Sequence, residues 1–341
     1  MLPVIDMQSN TPNHPQHEGI PTILGLDIGG TKTAVVEGTR EGEILQRIEV
    51  STDTDQAFDD RFPPLATRMQ ELVHQAKKKG RSVEAVSVSV GGPLRIEDGV
   101  LIDPPHLPGW HGANLKERIQ ESFPERPVFV EHDGNAGALA EFHFGVGRNR
   151  PNLQHLIFLT FGTGLGAGLI VNGQVLRGTT DTAGEVGHWR LAHEGPVGFG
   201  KEGSWEGLAS GAGLVQLAHR RFPERWPLET PIRDLVDAML ADDPEALAVA
   251  EEAGTWLGQG MALLVDALNP QVIVLGSLAV VLGDRVLASA RETLAEEALP
   301  PAAQACTVEP AALGKGIGDV AALMAALDRH QELGGTKTQS P

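Results

Sequence analysis

Cysteine is almost absent from this chain, since Cys306 is the single one among 341 residues. One thiol cannot form an intramolecular disulfide, and it cannot supply a cluster of thiolate metal ligands. Basic residues are also scarce, with 27 Lys and Arg against 45 Asp and Glu and a formal net charge of −18. Because nucleic-acid backbones demand clustered Lys and Arg, this balance argues against a nucleic-acid partner.

Long apolar runs are missing as well. No stretch approaches the roughly 20 consecutive apolar residues that span a bilayer. Residues 1–19 have neither the basic start nor the apolar segment of a secretory signal. The sequence therefore predicts a cytoplasmic protein without a membrane partner. With 341 residues, of which 41% are apolar, the chain is long enough for about two domains with ample cores.

A segment rich in glycine and threonine occurs twice in the chain. The first copy holds Gly29–Lys32 between two apolar stretches, and the second holds Gly162–Gly164 in the same setting. Downstream of each copy, Gly42–Leu45 corresponds to Gly173–Leu176. The spacing between the copies is nearly kept, so the sequence indicates a duplicated domain.

Each copy is predicted to be a β-hairpin with a tight turn, because apolar strand-forming residues flank residues that tolerate positive φ. Glycine leaves backbone N–H groups uncovered, so a phosphate can approach them closely. An ordinary hairpin is the favoured interpretation of either turn alone. Two such turns facing each other across a cleft would hold the phosphates of one nucleotide from both sides. The pair therefore indicates an ATP-dependent phosphotransferase.

The order of predicted elements divides the chain into two α/β halves. Residues 1–21 are irregular and rich in proline, which predicts a disordered arm. An N-terminal domain is predicted over 22–131 and a C-terminal domain over 132–330, with a last helix that could return to the first domain. Residues 331–341 are predicted to be a disordered tail. No long linker is predicted, so the two halves should share a cleft.

Two aspartates lie within or beside apolar segments, where a carboxylate needs a structural or functional explanation. Asp133 follows an apolar strand and precedes an apolar helix, so it could accept the proton of an alcohol that attacks a γ-phosphoryl group. A helix cap is the alternative for Asp133 taken alone. Asp27 lies inside an apolar strand, where an unpaired charge is costly, and it could position Mg²⁺ through water.

A further polar group follows in the second half of the chain. Glu185 and His188 are three residues apart, and Glu206 comes later. A carboxylate and an imidazole on one face can bracket adjacent sugar hydroxyls, accepting and donating in turn. Scattered polar residues without a shared role are the alternative for this group taken alone.

Taken together, these residues closely resemble the ROK family of sugar kinases and sugar-responsive repressors, over roughly residues 23–327. The resemblance implies an α/β protein with the actin-like, hexokinase-like ATPase fold, in which two duplicated ribonuclease-H-type domains enclose a cleft for ATP and sugar. It also implies a homodimer. The stretches that carry it are Leu26–Lys32, Leu107–Trp110, Asp133–Ala136, Thr160–Gly166, Gly184–His188 and Trp205–Gly211.

The two turns and the resemblance together give the candidate site residues. Asp133 would be the catalytic base, and Asp27 would hold Mg²⁺ through water. The nucleotide would be held by Asp27, Gly29, Gly30, Thr31, Lys32, Gly162, Thr163, Gly164, Gly276 and Ser277. The sugar would be lined by Gly92, His132, Asp133, Glu185, His188 and Glu206.

One departure from the family pattern concerns zinc. Many members carry a zinc site made of three cysteines and the histidine equivalent to His188. Here the matching run, Val197–Glu206, contains no cysteine. Without thiolates a tetrahedral site cannot close. The sequence therefore predicts a zinc-free loop that is held by the packing of Phe199 and Trp205.

Three other positions also differ from the family pattern. His132 stands where members usually have an Asn that touches the sugar, and His106 replaces the Asn of the motif Pro-Asn-Leu-Pro-Gly-Trp. Ser277 interrupts what is usually a run of glycines beside the adenosine. Sugar selection and nucleotide affinity are therefore expected to differ from those of typical members.

The sequence thus predicts an ATP- and Mg²⁺-dependent hexose kinase, with the 6-hydroxyl of glucose as the first candidate acceptor. Kinases for mannose, fructose or an N-acetylhexosamine, or a kinase that uses polyphosphate, are the alternatives within this class. A sugar-sensing regulator without catalysis is the alternative outside it. The intact Asp27 and Asp133 argue against a regulator, as does the lack of a helix-turn-helix pattern before Ile23.

Overall fold

The structure, a computed structural model, describes residues 19–54, 56–102 and 104–334. The predicted N-terminal arm up to residue 18 and the predicted tail from residue 335 lie outside the described residues. None of the helices in the described ranges is long and apolar enough to cross a membrane.

Strands and helices alternate in both halves of the chain. The strands are β1 (Pro21–Ile28), β2 (Lys32–Gly38), β3 (Ile44–Ser51), β4 (Ser82–Val90), β5 (Leu94–Arg95), β6 (Val100–Leu101), β7 (Val128–His132), β8 (Leu156–Leu159), β9 (Ala167–Val171), β10 (Gln174–Val175), β11 (Val197–Gly198), β12 (Lys201–Glu202), β13 (Val272–Leu275) and β14 (Thr307–Pro310). The helices are α1 (Phe58–Lys78), α2 (Leu115–Ser122), α3 (Asp133–His143), α4 (Trp205–Ala209), α5 (Gly211–Arg221), α6 (Ile232–Leu240), α7 (Pro244–Leu268), α8 (Leu278–Leu282), α9 (Asp284–Glu297), α10 (Pro300–Ala305) and α11 (Ile317–Gly334).

Two five-stranded sheets within the described residues have the same topology. The first sheet has the order β3-β2-β1-β4-β7, and the second has the order β10-β9-β8-β13-β14. In each sheet the first three strands in sequence pair antiparallel and the last two join in parallel. The equivalence of order and direction confirms the predicted duplication of an α/β unit.

The hairpin turns lie where the repeated motif predicts them. The glycines of the two turns, Gly29, Gly30, Gly162 and Gly164, are not at positive φ, whereas Gly42 and Gly173, which each precede the third strand of their sheet, have φ of 80° and 73°. In the first sheet the β1–β2 pairing closes at Ile28 and Thr33, so the turn is short. In the second sheet the β8–β9 pairing closes at Leu159 and Ala167, so the turn is longer.

Two helices cross between the halves and pack on the sheet of the other half. α3 follows the first sheet in sequence, yet Ala138 and Leu139 pack with Phe158 of the second sheet. α11 follows the second sheet, yet Ala322 and Leu323 pack against the first sheet. The predicted return of the last helix agrees with this packing, while the domain boundaries stay predictions. α11 continues to Gly334, so the predicted start of the tail at residue 331 is too early.

Candidate functional site

A cavity of about 370 Å³ lies between the two sheets and receives residues from both. One wall is the turn after β1, and the opposite wall is the turn after β8. We refer to it as the central cavity. The predicted site residues that line it are Gly29, Gly30, Thr31, Gly92, His132, Asp133, Gly162, Thr163, Gly164, Glu185, Glu206 and Ser277.

Asp133 stands at the first position of α3, directly after β7. Its Oδ1 accepts the backbone N–H of Gly134 at 2.7 Å. The residue that precedes the helix is His132, whose Nδ1 lies 3.2 Å from Gly134 N. The N-cap position is therefore taken by His132, while Asp133 Oδ1 accepts from the N–H of the next residue. The side chain of Asp133 is 43% exposed, so Oδ2 is available to a ligand in the cavity.

The start of α3 is fixed by close packing and by a buried carboxylate. A β-carbon at Gly168 of β9 would lie 2.0 Å from Gly134 O, so only glycine allows this approach. The fully buried Glu131 accepts from His132 N–H at 3.0 Å and from Asn135 Nδ2 at 2.9 Å. Arg177 donates to the other oxygen of Glu131 at 2.6 Å. Sequence analysis missed this network, and the only signal for it was an acidic residue inside an apolar strand.

His132 connects the catalytic candidate to the sugar candidates. Its Nε2 lies 3.3 Å from Glu185 Oε1, and its Nδ1 lies 3.2 Å from Asp133 Oδ1. Burial lowers the pKa of His132, but the hydrogen bond with Glu185 and the negative charges of Asp133 and Glu131 outweigh burial, and the pKa rises to about 9. At neutral pH the imidazole is therefore cationic, and Gly134 N–H keeps Asp133 Oδ1 as its acceptor.

Glu206 and His106 approach each other across the cavity. A β-carbon at Gly164 would lie 2.7 Å from Glu206 Oε2 and 3.0 Å from His106 Nε2. Burial raises the pKa of Glu206, and the hydrogen bond that it accepts from Leu165 N–H, 3.0 Å long, opposes this rise. His106 comes from the first half of the chain and Glu206 from the second, so the pair spans the cleft.

Asp27 lies beside the cavity and not among its lining residues. Burial, together with the negative charges of Asp133 and Asp319, raises the pKa of this carboxyl to about 7. Such uncompensated carboxylates suit a hard cation. Among the described residues no three His, Cys, Asp or Glu form a metal-binding group. Mg²⁺ usually takes only one or two carboxylates, with waters and phosphates, so Asp27 fits the predicted contact through water.

Besides Asp27, three predicted residues lie away from the cavity lining. Lys32 begins β2 and points to the neighbouring β3, where its Nζ lies 2.6 Å from Glu49 Oε1. His188 is exposed and packs on the outer side of Phe199, with ring centroids 4.2 Å apart. Gly276 lies under the cavity floor, where a β-carbon would be 2.9 Å from Phe158 Cζ. Their predicted contacts with phosphate, sugar and adenosine stay predictions.

Other lining residues were not predicted as site residues. Pro104, Pro105 and Leu107 line the cavity beside His106, and Thr160 and Phe199 line it from the second half. Thr160 precedes the second glycine turn and braces it, because its Oγ1 accepts Gly166 N–H at 2.9 Å. Its place in the repeated motif was a signal that could have identified it. For the proline-rich loop, the stretch Leu107–Trp110 that carries the family resemblance was a comparable signal.

Hydrogen bonds and ring packing hold the loop that usually carries zinc in this family. The buried Ser204 Oγ accepts from Gly198 N at 3.1 Å, donates to Gly198 O at 3.0 Å and accepts from Gly207 N at 3.1 Å. Trp205 stacks on Trp189 with centroids 5.7 Å apart. These contacts hold the loop in place, and the ring of Trp205 takes part in them as the sequence predicts.

A second cavity of about 450 Å³ adjoins the central one. The two share Gly162, Thr163 and Ser277, and the rest of its wall is largely aliphatic, with Lys315 at its edge. We refer to it as the aliphatic cavity. Ser277 has φ of 40°, a conformation that favours glycine, at the position where the family usually has one. The aliphatic residues that line it are Ile232, Leu278, Val280, Val281 and Ile317.

Comparison with known proteins shows which sugar kinases and repressors this chain is similar to. A glucokinase of Halalkalibacterium halodurans is 28% identical over 307 residues, which cover 86% of this chain and 92% of that protein. A xylose repressor of Bacillus spizizenii is 26% identical and covers 86% of this chain and 73% of its own length. A crystal structure of a ROK family glucokinase from Streptomyces griseus, in complex with glucose and AMPPNP, matches with a TM-score of 0.73 and 28% identity, over 89% of this chain and 98% of that one.

These matches confirm the predicted hexokinase-like fold. The family model described as ROK family matches residues 23–329, which is nearly all of the described chain. Sugar kinases and sugar-responsive repressors both occur among the relatives. The chain belongs to the ROK family.

Proposed function

We propose that this chain is an ATP-dependent hexose kinase that transfers the γ-phosphoryl group to the 6-hydroxyl of glucose. The observation that carries the proposal is the meeting of three parts in one cavity. The turns Gly29–Thr31 and Gly162–Gly164 both line this cavity, and the partly exposed carboxylate of Asp133 lies on the wall with them. Glucokinases among the relatives support the same substrate class.

The proposed mechanism uses Asp133 as the general base. Asp133 accepts the proton of the sugar hydroxyl while the hydroxyl oxygen attacks the γ-phosphorus and the bond to the β-phosphate oxygen breaks. Backbone N–H groups of the two turns hold the phosphates in line. Mg²⁺, held through water by Asp27, would supply neutralisation of phosphate charge. Closure of the two halves would exclude water that competes as acceptor.

The sugar is proposed to lie against the carboxylates of the central cavity. Glu185 and Glu206 accept hydrogen bonds from sugar hydroxyls, and a cationic His132 donates one. Gly92 gives room beside His132, because a β-carbon there would lie 2.6 Å from His132 Cδ2. The volume of about 370 Å³ is in the range of small-molecule sites.

The proposed donor is a nucleoside triphosphate and not polyphosphate. The aliphatic cavity begins at the second glycine turn, where the phosphate chain would end. Its walls of Ile232, Leu278 and Val281 suit the apolar faces of a nucleoside. A polyphosphate chain would need basic side chains along that path, and Lys315 is the one charged residue that lines this cavity.

The proposal is tested with an ADP-release assay on the full chain across glucose, mannose, fructose and N-acetylglucosamine. We expect the highest kcat/KM for glucose with ATP, and product formation with polyphosphate at a small fraction of that rate. Absence of turnover with every sugar and both donors would overturn the kinase proposal. A homodimer and a cytoplasmic location are parts of the same proposal, and size-exclusion chromatography with light scattering checks the first.

A sugar-sensing regulator is the second candidate, because a xylose repressor matches over 86% of this chain. Calorimetry separates the two functions. Sugar binding without ADP release under the same conditions favours the regulator, and sugar binding with turnover favours the kinase.

A further inference from the structure

A cavity of about 180 Å³ lies next to the first glycine turn and shares no lining residue with the central cavity. We refer to it as the Trp110 cavity. One wall is a face of α1 that carries Arg61, Leu65 and Arg68 at helical spacing. The end of β3 forms the opposite wall, and Trp110 closes the cavity.

Two buried donors on this cavity have no acceptor among the described residues. Trp110 is 2% exposed, and its indole Nε1 has no hydrogen-bond partner there. Arg61 Nε is also buried without a hydrogen-bond partner there, although Arg61 Nη2 lies 2.5 Å from Asp53 Oδ2. Buried polar groups are normally satisfied, so two orphaned donors at one cavity need an explanation. Both can only donate, so a ligand here must accept hydrogen bonds.

The remaining polar groups of the cavity do not supply that acceptor. Thr52 Oγ1 donates to Gly29 O at 2.7 Å, so the proton in its 3.0 Å contact with Thr33 must come from Thr33. No Asp or Glu is among the residues that line the cavity. Arg68 adds a second guanidinium, paired only at Nη1 with Glu71 at 2.8 Å. The lining itself thus offers donors and two guanidinium groups, and the carboxylates that pair with them, Asp53 and Glu71, lie outside it.

We propose that the Trp110 cavity binds a small oxyanion of the phosphate type. Guanidinium groups match the planar edges of such oxyanions, and charge-assisted hydrogen bonds to them are strong. The cavity is smaller than the roughly 300–1,000 Å³ of typical small-molecule pockets, which favours a single oxyanion or the phosphoryl end of a larger ligand. Either inorganic phosphate or a hexose phosphate carries this chemistry.

The Trp110 cavity is connected to the central cavity through hydrogen bonds, so a ligand bound in the one can affect the other. Thr52 bonds Gly29 O, and Thr52 N–H donates to Thr31 O at 3.0 Å. Trp110 ends the short turn Pro108–Trp110, which directly follows Leu107 of the central cavity. Thr52, which lines the Trp110 cavity, is therefore hydrogen-bonded directly to the first phosphate turn.

The test is an NMR titration of the indole N–H signals of the full chain, with Trp110→Phe to assign the Trp110 signal. Inorganic phosphate, sulfate and glucose 6-phosphate are titrated separately, with ADP present to occupy the central site. We expect a saturable downfield shift of the Trp110 indole proton as it gains an acceptor. A shift with both phosphates assigns the site to the phosphoryl group, and a shift with glucose 6-phosphate alone assigns it to a sugar phosphate.

Arginine variants make the test specific. Arg61→Gln is expected to weaken phosphate binding about 10-fold or more, the size of a lost charge-assisted hydrogen bond. Arg68→Gln, at the exposed edge, is the second variant if Arg61→Gln does not fold. Arg95→Gln removes an equal charge from an exposed pair with Asp98 and should change Kd less than about twofold. The proposal would be overturned if the Trp110 signal does not shift at up to about 10 mM of any anion, which is tenfold above a 1 mM Kd. It would also be overturned if Arg61→Gln and Arg68→Gln both bind phosphate as tightly as the parent chain. The readout is binding, so the result is independent of the proposed kinase activity.

Discussion

At the scale of single residues, the candidate site concentrates groups that shift one another's protonation. Burial and the neighbouring Asp133 raise the pKa of Asp27 to about 7. The pKa of His132 rises to about 9, because the interactions with Glu185 and Asp133 outweigh the effect of burial. Burial disfavours the charged form of one group, and neighbouring carboxylates stabilise the charged form of the other. Such shifted pKa values are typical of functional sites and not of a core that serves stability alone.

The first prediction concerns the cost of Asp27. Its folded pKa is raised from 3.8 to about 7, so the folded state holds a proton that the unfolded state releases within this window. The free energy of unfolding therefore falls as pH rises through the window, by at most about 4 kcal/mol for this group. We expect Asp27→Asn to be more stable than the parent at a pH of about 8, with a smaller gain at about 5. Urea unfolding without Mg²⁺ measures both. An equal effect at the two pH values would contradict the assigned shift.

The second prediction concerns sugar selection by His132. An amide offers both a donor and an acceptor, whereas the cationic imidazole only donates. A sugar hydroxyl that needs an acceptor at this position loses a partner, which costs about 1–3 kcal/mol. The ratios of kcat/KM for glucose, mannose and N-acetylglucosamine are therefore expected to change in His132→Asn by more than about threefold. Unchanged ratios would show that His132 holds Asp133 in place and does not contact the sugar.

At the scale of elements, the loop Val197–Glu206 shows how one hydroxyl can organise a segment that relatives organise with zinc. Ser204 lies where a cysteine is usual, and its hydroxyl ties β11 to the start of α4 through three hydrogen bonds. Gln216 of α5 holds the other end, accepting from Val197 N–H at 2.8 Å and donating to Val197 O at 2.9 Å. Together these bonds act where metal ligands would otherwise act.

The third prediction follows from these bonds. The purified protein should hold no stoichiometric zinc and should keep its Tm in a chelator, because folding is not coupled to metal. Ser204→Ala should lower the free energy of unfolding by about 1–3 kcal/mol, since it leaves buried backbone groups without partners. Ser122→Ala, whose hydroxyl makes one weak contact of 3.4 Å, is the matched control. Elemental analysis that finds about one zinc per chain would contradict the prediction.

The hairpins were predictable because their information is local. Two apolar strands on either side of a short run of Gly and Thr define each hairpin from neighbouring residues alone. The direction in which the Lys32 side chain points could not be predicted from neighbouring residues. Glu49 of β3 captures its ammonium group, and that contact depends on the register between β2 and β3. His188 does not line the cavity for a similar reason, because its ring packs on Phe199, which lines the cavity from the turn between β11 and β12.

At the scale of the whole molecule, the two halves are joined by charges that come from distant parts of the sequence. Arg177 follows β10 of the second sheet and donates to Glu131 at the end of the first sheet. The same guanidinium donates to Asp328 of α11 at 2.8 Å. Nothing local in the sequence pairs these three residues, so the network could not be predicted, although its members flank predicted elements.

The fourth prediction concerns this network. Arg177→Met leaves the fully buried Glu131 without its counter-charge, which should cost about 3–5 kcal/mol of stability. Arg150→Met, which breaks a more exposed pair with Glu309, is the control and should cost less than about 1 kcal/mol. Adding Glu131→Gln to Arg177→Met should restore part of the loss, as a coupled pair requires. Additive effects in the double variant would refute the coupling.

The central claim is that Asp133 acts as the general base in a cavity shared by both halves. The most direct measurement is the kcat of Asp133→Asn with ATP and glucose, beside the glucose Kd from calorimetry. Asn keeps an oxygen that can accept from Gly134 N–H, so the start of α3 should survive. Asp98→Asn, an exposed carboxylate paired with Arg95, is the control. We predict a fall in kcat of roughly 10²-fold or more, as expected for loss of general-base catalysis, with a smaller loss in sugar affinity. Near-normal turnover in Asp133→Asn would contradict the account and leave Asp133 as a structural residue at the start of α3.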